Sequence, residues 1–200
     1  KQAQNVLDYD DLLACWAAAA GNADLAAHMA SHFDHVLVDE YQDTNRLQAS
    51  ILRALKPDGR GLMVVGDDAQ SIYAFRAATV RNILDFPQQF SGEATVLTLQ
   101  RNYRSTAAIL AASNSVIALA AERYTKDLWT DRAEGERPRL VTVTGEAEQA
   151  AYVAEAVLAQ REAGLALKQQ AVLFRTAHHS AQLELELGRR KIPFVKFGGL

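Results

Sequence analysis

His35-Val36-Leu37-Val38-Asp39-Glu40-Tyr41-Gln42-Asp43-Thr44-Asn45 is the stretch on which the reading of this chain turns. A short apolar run rich in β-branched residues, bounded by polar ones, reads as a strand buried on both faces, and this one stops at two adjacent carboxylates. In an open parallel sheet, ligands bind at the C-terminal edge of the strands, so Asp39 and Glu40 are expected at the mouth of a crevice. Two neighbouring acids there can divide labour. Asp39 can hold a Mg2+ ion through its waters while Glu40 polarises a water for attack on a phosphoryl group. A strand end with two solvated acids opening the next helix fits the same residues, and the pair alone does not separate the two readings.

A second run, Leu62-Met63-Val64-Val65, repeats the pattern and again ends in acid, at Gly66-Asp67-Asp68. Between the two lies a helical pattern through Leu47, Ile51, Leu52 and Leu55. Asn45 and Gln48 fit its N-cap and third position, and Pro57-Asp58-Gly59 its closing turn. Two strands ending in carboxylates with a helix between describe a βαβ unit and one shared edge. Gly66 permits a sharp departure from that edge, and Gln70 lies close enough to reach a bound water or γ-phosphate. Tyr73, Phe75 and Arg76 put two rings beside a cation, which suits stacking of unpaired bases with the cation on phosphate, or equally a packed core. A helix from Ala78 to about Phe86 is expected to stop near Pro87. Thr95-Val96-Leu97-Thr98-Leu99 then reads as a strand feeding Gln100-Arg101-Asn102-Tyr103-Arg104-Ser105, with Ser105 capping a helix through Ile109, Leu110, Val116 and Ile117. At such a strand end a tyrosine ring can cover a nucleotide base and a planar guanidinium can stabilise charge growing on a phosphate, or pair with a surface acid.

Three of these strings together resemble a known family. Asp39-Glu40-Tyr41-Gln42-Asp43-Thr44-Asn45 resembles motif II (Walker B) of the UvrD/Rep/PcrA family of superfamily-one DNA helicases. Val65-Gly66-Asp67-Asp68-Ala69-Gln70-Ser71-Ile72-Tyr73-Ala74-Phe75-Arg76 is similar to motif III, and Gln100 to Ser105 to motif IV. The resemblance runs from Leu7-Asp8-Tyr9-Asp10-Asp11 to Phe197-Gly198-Gly199. It implies a RecA-like parallel sheet flanked by helices, the P-loop NTPase fold in part, with the start of a second α/β lobe. It implies ATP and Mg2+ as cofactors, with Asp39 on the metal, Glu40 as general base, Gln70 sensing the γ-phosphate, Tyr103 covering the base of ATP and Arg104 stabilising transferred charge. Single-stranded DNA is the implied partner, at Tyr73, Phe75 and Arg76, with movement 3′ to 5′ in repair or replication. The family usually carries Trp at position 75 and Gly at position 77, where this chain has Phe75 and Ala77. Arg175-Thr176 also resembles a family element near the DNA backbone.

The family's phosphate loop, Gly-x-x-x-x-Gly-Lys-[Ser/Thr], has no match, since no glycine here precedes a lysine. With Lys1 as first residue, the expectation is a piece of a longer chain, with Walker A upstream and motifs V and VI downstream, and no ATP turnover by the piece alone. Residues 1–120 are expected to form the later part of lobe 1A, 121–138 a linker, and 139–200 the opening of lobe 2A. In that last part, strands are expected at Leu140–Val143, Ala171–Arg175 and Pro193–Val195, with helices from Ala147 to Ala163 and up to Gly188. A non-catalytic module with a helicase-like surface, binding DNA or protein, is the rival reading.

Composition adds bounds. At 200 residues and 49% hydrophobic the chain can bury a core, and its net charge of -3 carries no global signature of nucleic-acid binding, so any such surface is local. Cys15 is the one cysteine, which excludes an internal disulfide and fits a reducing cytoplasm. The run Ala14 to Ala20 is too short to span a bilayer, so no membrane role is expected. Helices are expected from Tyr9 to Ala20, closed by Gly21-Asn22, and from Ala23 to Ser31. His28 and His32 are four apart on the second, a spacing that could present two metal ligands, but no third accompanies them. Arg189-Arg190-Lys191 reads as a solvated helix end, where cations suit the dipole.

Overall fold

The computed structural model describes residues 1–90, 92 and 94–198, with Gln2 described by its backbone alone. Gly199, at the end of the resemblance, lies outside the described residues. The chain divides into two compact units, Lys1–Pro138 and Arg139–Leu200.

In the first unit α1 (Tyr9–Ala20) and α2 (Ala23–Ala30) precede β1 (Val36–Val38). α3 (Arg46–Leu55) crosses to β2 (Leu62–Val64), and α4 (Arg81–Leu84) and α5 (Ala107–Ile117) follow. Each early helix begins where the sequence supplies a cap. The Asp8 carboxylate accepts from the Asp11 N–H at 3.0 Å, and Asp11 reaches back to the Asp8 N–H at 3.1 Å. Asn22 accepts from Leu25 N–H at 3.0 Å to start α2. Asn45 and Gln48 exchange the same reciprocal bonds at the head of α3, both at 2.9 Å. Ile51 and Leu55, four apart and so on one face, are buried with Ala20 of α1, and Leu13, Ala17 and Met29 pack against them. Burying each such branched side chain contributes about 1.5–3 kcal/mol.

β1 and β2 pair in parallel with Val36 opposite Leu62, Leu37 opposite Met63 and Val38 opposite Val64. The expected βαβ unit is therefore present. Gly61 leads into β2 at φ 71°, and a Cβ there would lie 2.4 Å from the Asp34 carbonyl oxygen, so the crossover closes only with glycine. Burial on both faces does not hold: Leu37 is 72% and Met63 57% exposed, on one sheet face. Alternation sets this outcome, because residues 36 and 38 face one side and residue 37 the other, and nothing among the described residues covers the second side.

Other expected elements differ. The helix expected over 78–86 is shortened to α4, and a 3-10 turn at Phe86–Gln88 places Pro87 early in that turn, where its missing N–H is harmless. Residues 95–99 form no strand, with Leu97 and Leu99 exposed. A β-branched run needs a hydrogen-bonding neighbour as well as propensity, and none of the described residues forms a ladder with this one. The cap of α5 is Thr106 in place of Ser105, because the Asn102 carboxamide oxygen accepts from the Arg104 and Ser105 N–H groups at 2.9 and 2.7 Å and the resulting turn delays the helix.

The second unit is a helix pair, α6 (Glu146–Glu162) and α7 (Ala181–Arg189). Leu183, Leu187 and Ile192 bury against Ala150 and Ala154, whose small side chains admit close approach. Gly164 follows α6 at φ 101°, as the expected stop requires. Gly188 sits inside the last turn of α7. The strands expected at 140–143, 171–175 and 193–195 are not formed, and Leu140, Leu173 and Val195 stand exposed. Arg189 and Arg190 pair with Glu186 at 3.2 and 2.7 Å, so that basic run is a paired helix end. No helix among the described residues is long and apolar enough to cross a membrane.

Candidate functional site

The two strands keep pairing beyond their ends. The Val65 N–H donates to the Val38 carbonyl at 2.8 Å, and the Tyr41 N–H donates to the Val65 carbonyl at 3.0 Å, so the acidic strand ends are held edge to edge. Asp39 is exposed, and its Oδ1 accepts from the Glu40 N–H at 2.9 Å. Glu40 has φ 51° and ψ 41°, a left-handed conformation that costs a non-glycine residue roughly 1–2 kcal/mol. Behind it a 3-10 turn, Tyr41–Asp43, buries the Tyr41 ring edge-on to Phe86, centroids 5.4 Å apart, and burial raises the phenol pKa.

Gln42 holds the two strand ends together. It is 1% exposed, its Nε2 donates to Glu40 Oε2 at 2.8 Å, and its Oε1 accepts from the Asp67 N–H at 3.0 Å. Gly66 lies so close that a Cβ would sit 2.5 Å from that same Oε1 and 2.8 Å from Ile83. The close approach, and not its φ, is what requires glycine at Gly66. Asp67 then caps a 3-10 turn, accepting from the Ala69 N–H at 3.0 Å and from Gln70 Nε2 at 2.9 Å. Asp39, Glu40 and Gln70 thus share one edge, the last two linked through Gln42 and Asp67.

Lys126 closes the acidic end of β2. Its ammonium donates to Asp67 and, at 2.9 Å, to Asp68, while the Tyr124 N–H donates to Asp68 at 3.1 Å and the Tyr124 hydroxyl to the Ile83 carbonyl at 3.0 Å. Burial alone would lower the lysine pKa, but its bonds to the two carboxylates outweigh burial and raise it. Burial works against the charged form of Asp67 too, and the bonds from Gln70 and Lys126 overcome it and lower that pKa.

Tyr73, Phe75 and Arg76 form a surface cluster in which Tyr73 is half-buried and Phe75 and Arg76 are exposed. The rings lie 5.9 Å apart, and the Arg76 guanidinium sits 5.2 and 5.5 Å from their centroids. Phe75 is 69% exposed, which removes the packed-core reading for it. Ala77 follows at φ 63°, left-handed.

Tyr103 and Arg104 lie on a separate turn. The Arg132 guanidinium donates to the Tyr103 and Arg104 carbonyls at 3.2 and 3.1 Å. Arg101 covers the Tyr103 and Trp129 rings at 5.0 and 5.5 Å and pairs with Asp131. The surface ion pair weighed for Arg104 is therefore made by Arg101, while the Arg104 side chain is exposed and makes no hydrogen bond or ion pair among the described residues. Nor does any such bond join Tyr103 or Arg104 to the Glu40–Gln70 network among the described residues.

Among the described residues no cluster of three or more His, Cys, Asp or Glu side chains could hold a metal. His28 and His32 stack edge-on at 4.8 Å, with His32 Nδ1 2.8 Å from the His28 carbonyl. Asp39 remains a hard, exposed oxygen donor, which fits a Mg2+ ion that keeps most of its waters. Two grooves lie elsewhere in the first unit. One of about 580 Å³ runs beside His35 and Gly61 at the opposite sheet edge, and one of about 560 Å³ beside α5 and Arg137. Sequence reasoning passed over Gln42 and Lys126 as site residues; a carboxamide two residues past a paired acid was the one available signal for Gln42.

A parallel βαβ unit whose two strands end in acids on one shared edge presents the ligand-binding edge of an α/β protein. Residues 1–91 match the UvrD/REP helicase N-terminal domain and residues 97–200 the UvrD-like helicase C-terminal domain, and the chain belongs to this helicase family. It is 43% identical to ATP-dependent DNA helicase UvrD1 of Mycobacterium tuberculosis over 100% of this chain and 27% of that protein. It is 40% identical to DNA helicase II of Escherichia coli over 86% of this chain and 24% of that protein. The identity to ATP-dependent DNA helicase PcrA of Staphylococcus epidermidis is 35%, over 96% of this chain and 26% of that protein. The chain thus spans about a quarter of the length of these relatives. The second family match begins at residue 97, so α5 and Lys126 belong to it although they pack within the first unit.

Proposed function

We propose that the chain is part of an ATP-dependent DNA helicase that couples Mg-ATP hydrolysis to 3′–5′ movement on single-stranded DNA. Residues 1–120 correspond to the later part of its first motor lobe and 139–200 to the opening of its second. The phosphate loop and the remaining motifs come from outside these residues. The observation that carries the reading is the edge-to-edge pairing of the two acidic strand ends, with Glu40 and Gln70 tied to one network.

In this reading Asp39 holds Mg2+ through its waters, and the bound ion supplies charge neutralisation at the phosphates. Glu40 takes the proton of the attacking water, and its left-handed backbone supports that role by turning the residue out of the strand line at the edge. Gln70 contacts the γ-phosphate side of the site and passes its state to the Tyr73–Arg76 segment that follows it directly. Phe75 and Tyr73 stack unpaired bases while Arg76 meets phosphate. Tyr103 covers the ATP base, and the unpaired Arg104 guanidinium is left available for charge on the transferred phosphoryl group. Tyr103 and Arg104 act from their own turn, and bound nucleotide is what unites them with the strand edge.

The test is Glu40→Gln in the full-length parent. Nucleotide binding persists and DNA-stimulated hydrolysis falls by about three orders of magnitude or more, in line with loss of a general base and the charge it carries. Retained turnover removes Glu40 from the chemistry.

A further inference from the structure

The geometry points to Gln42 as the positioning residue that sets the Glu40 carboxylate and locks it to the Gly66–Gln70 turn; this assignment rests on the general-base reading of Glu40. Glu40 is an exposed side chain on a strained turn, and free in solvent it would sample several rotamers. Gln42, 1% exposed, gives it one partner at 2.8 Å. The other end of the same carboxamide accepts from the Asp67 N–H at 3.0 Å. Turning the amide over would set its NH2 against that N–H and its oxygen against the Glu40 carboxylate, so the network admits one orientation.

The consequence reaches motif III. Asp67, whose N–H anchors Gln42, uses its own carboxylate to hold Gln70 Nε2 at 2.9 Å and the Lys126 ammonium. Three hydrogen bonds through two residues, Gln42 and Asp67, therefore connect the acid of motif II to the glutamine of motif III. Gly66 leaves no room for the amide to retreat, since even a methyl group there would strike its Oε1. A displaced carboxylate costs rate steeply, on the order of 100-fold for an ångström of misplacement. Gln42 touches neither water nor phosphate in this scheme and acts through Glu40.

The experiment compares Gln42→Met and Gln42→Asn in the full-length parent, alone and combined with Glu40→Gln. Methionine keeps the volume and removes both hydrogen bonds, while asparagine keeps an amide too short to reach both partners. Expected are a kcat for DNA-stimulated ATP hydrolysis lowered about 10- to 100-fold, a KM for ATP within about threefold of wild type, and no further loss when either change joins Glu40→Gln. A kcat within about threefold of wild type in a folded variant overturns the assignment. So does an equal fractional loss in the Glu40→Gln background, which marks Gln42 as acting independently of Glu40, and so does failure of both variants to fold, which makes it a core residue only. Absence of turnover in the wild-type parent, or full turnover in Glu40→Gln, overturns the functional reading itself and the assignment with it.

Discussion

Two non-glycine residues, Glu40 and Ala77, hold left-handed backbone next to the motifs, and they do so for different reasons. Glu40 gains a hydrogen bond from Gln42 and a position on the strand edge. Ala77 at φ 63° gains nothing visible from its side chain. Its Cβ pays the left-handed penalty, and a glycine there avoids it at the smaller cost of a freer unfolded chain. Ala77→Gly should stabilise the first unit by about 0.5–1 kcal/mol, read as a rise in thermal midpoint. A lowered midpoint would show that the turn is not strained. The resemblance had marked position 77 as a departure from the family's glycine, and the backbone supplies the physical sense of that glycine.

Among the elements, the segment 122–131 is the one whose place the sequence did not disclose. Its charged, turn-rich composition reads as a linker, yet Tyr124 and Lys126 fasten it to the end of β2 and Trp129 bridges to Arg101. The Lys126 side chain is 13% and that of Asp68 4% exposed, so removing the cation strands a buried carboxylate. Lys126→Met should cost about 2–3 kcal/mol and raise amide exchange over 122–131 before the rest of the unit. Unchanged exchange there would refute the clamp. The pH dependence follows from opposite shifts. Asp67 is lowered from 3.8, so its contribution is full above that value and lost as pH falls through the folded pKa. Lys126 is raised from 10.5, so its contribution is full below that value and lost as pH rises through the folded pKa. Removing Lys126 should flatten the stability loss at both extremes.

At the scale of the whole molecule, the candidate site is open: Asp39, Glu40 and Gln70 lie on an edge that neither described groove reaches. In the proposed reading the phosphate loop lies outside these residues, so the 200-residue chain alone should show no DNA-stimulated ATP turnover. Measured turnover by the purified piece would overturn that expectation. Local signals decided in advance what depends on neighbours in the chain: the caps at Asn45 and Gln48, the stop at Gly164, the two apolar runs that end in acids, and the three motif strings that identify the family. Those features rest on backbone geometry within a few residues or on strings long enough to exclude coincidence. Tertiary structure alone decided which β-branched runs found a ladder partner, that Leu37 and Met63 face outward, and that Gln42 and Lys126 reach the turn at Asp67 from distant parts of the chain. Each of these depends on groups brought together from 25 or more residues apart or on the lack of a neighbour to pair with, as with Gln42 and Asp67, and no local pattern encodes such a meeting.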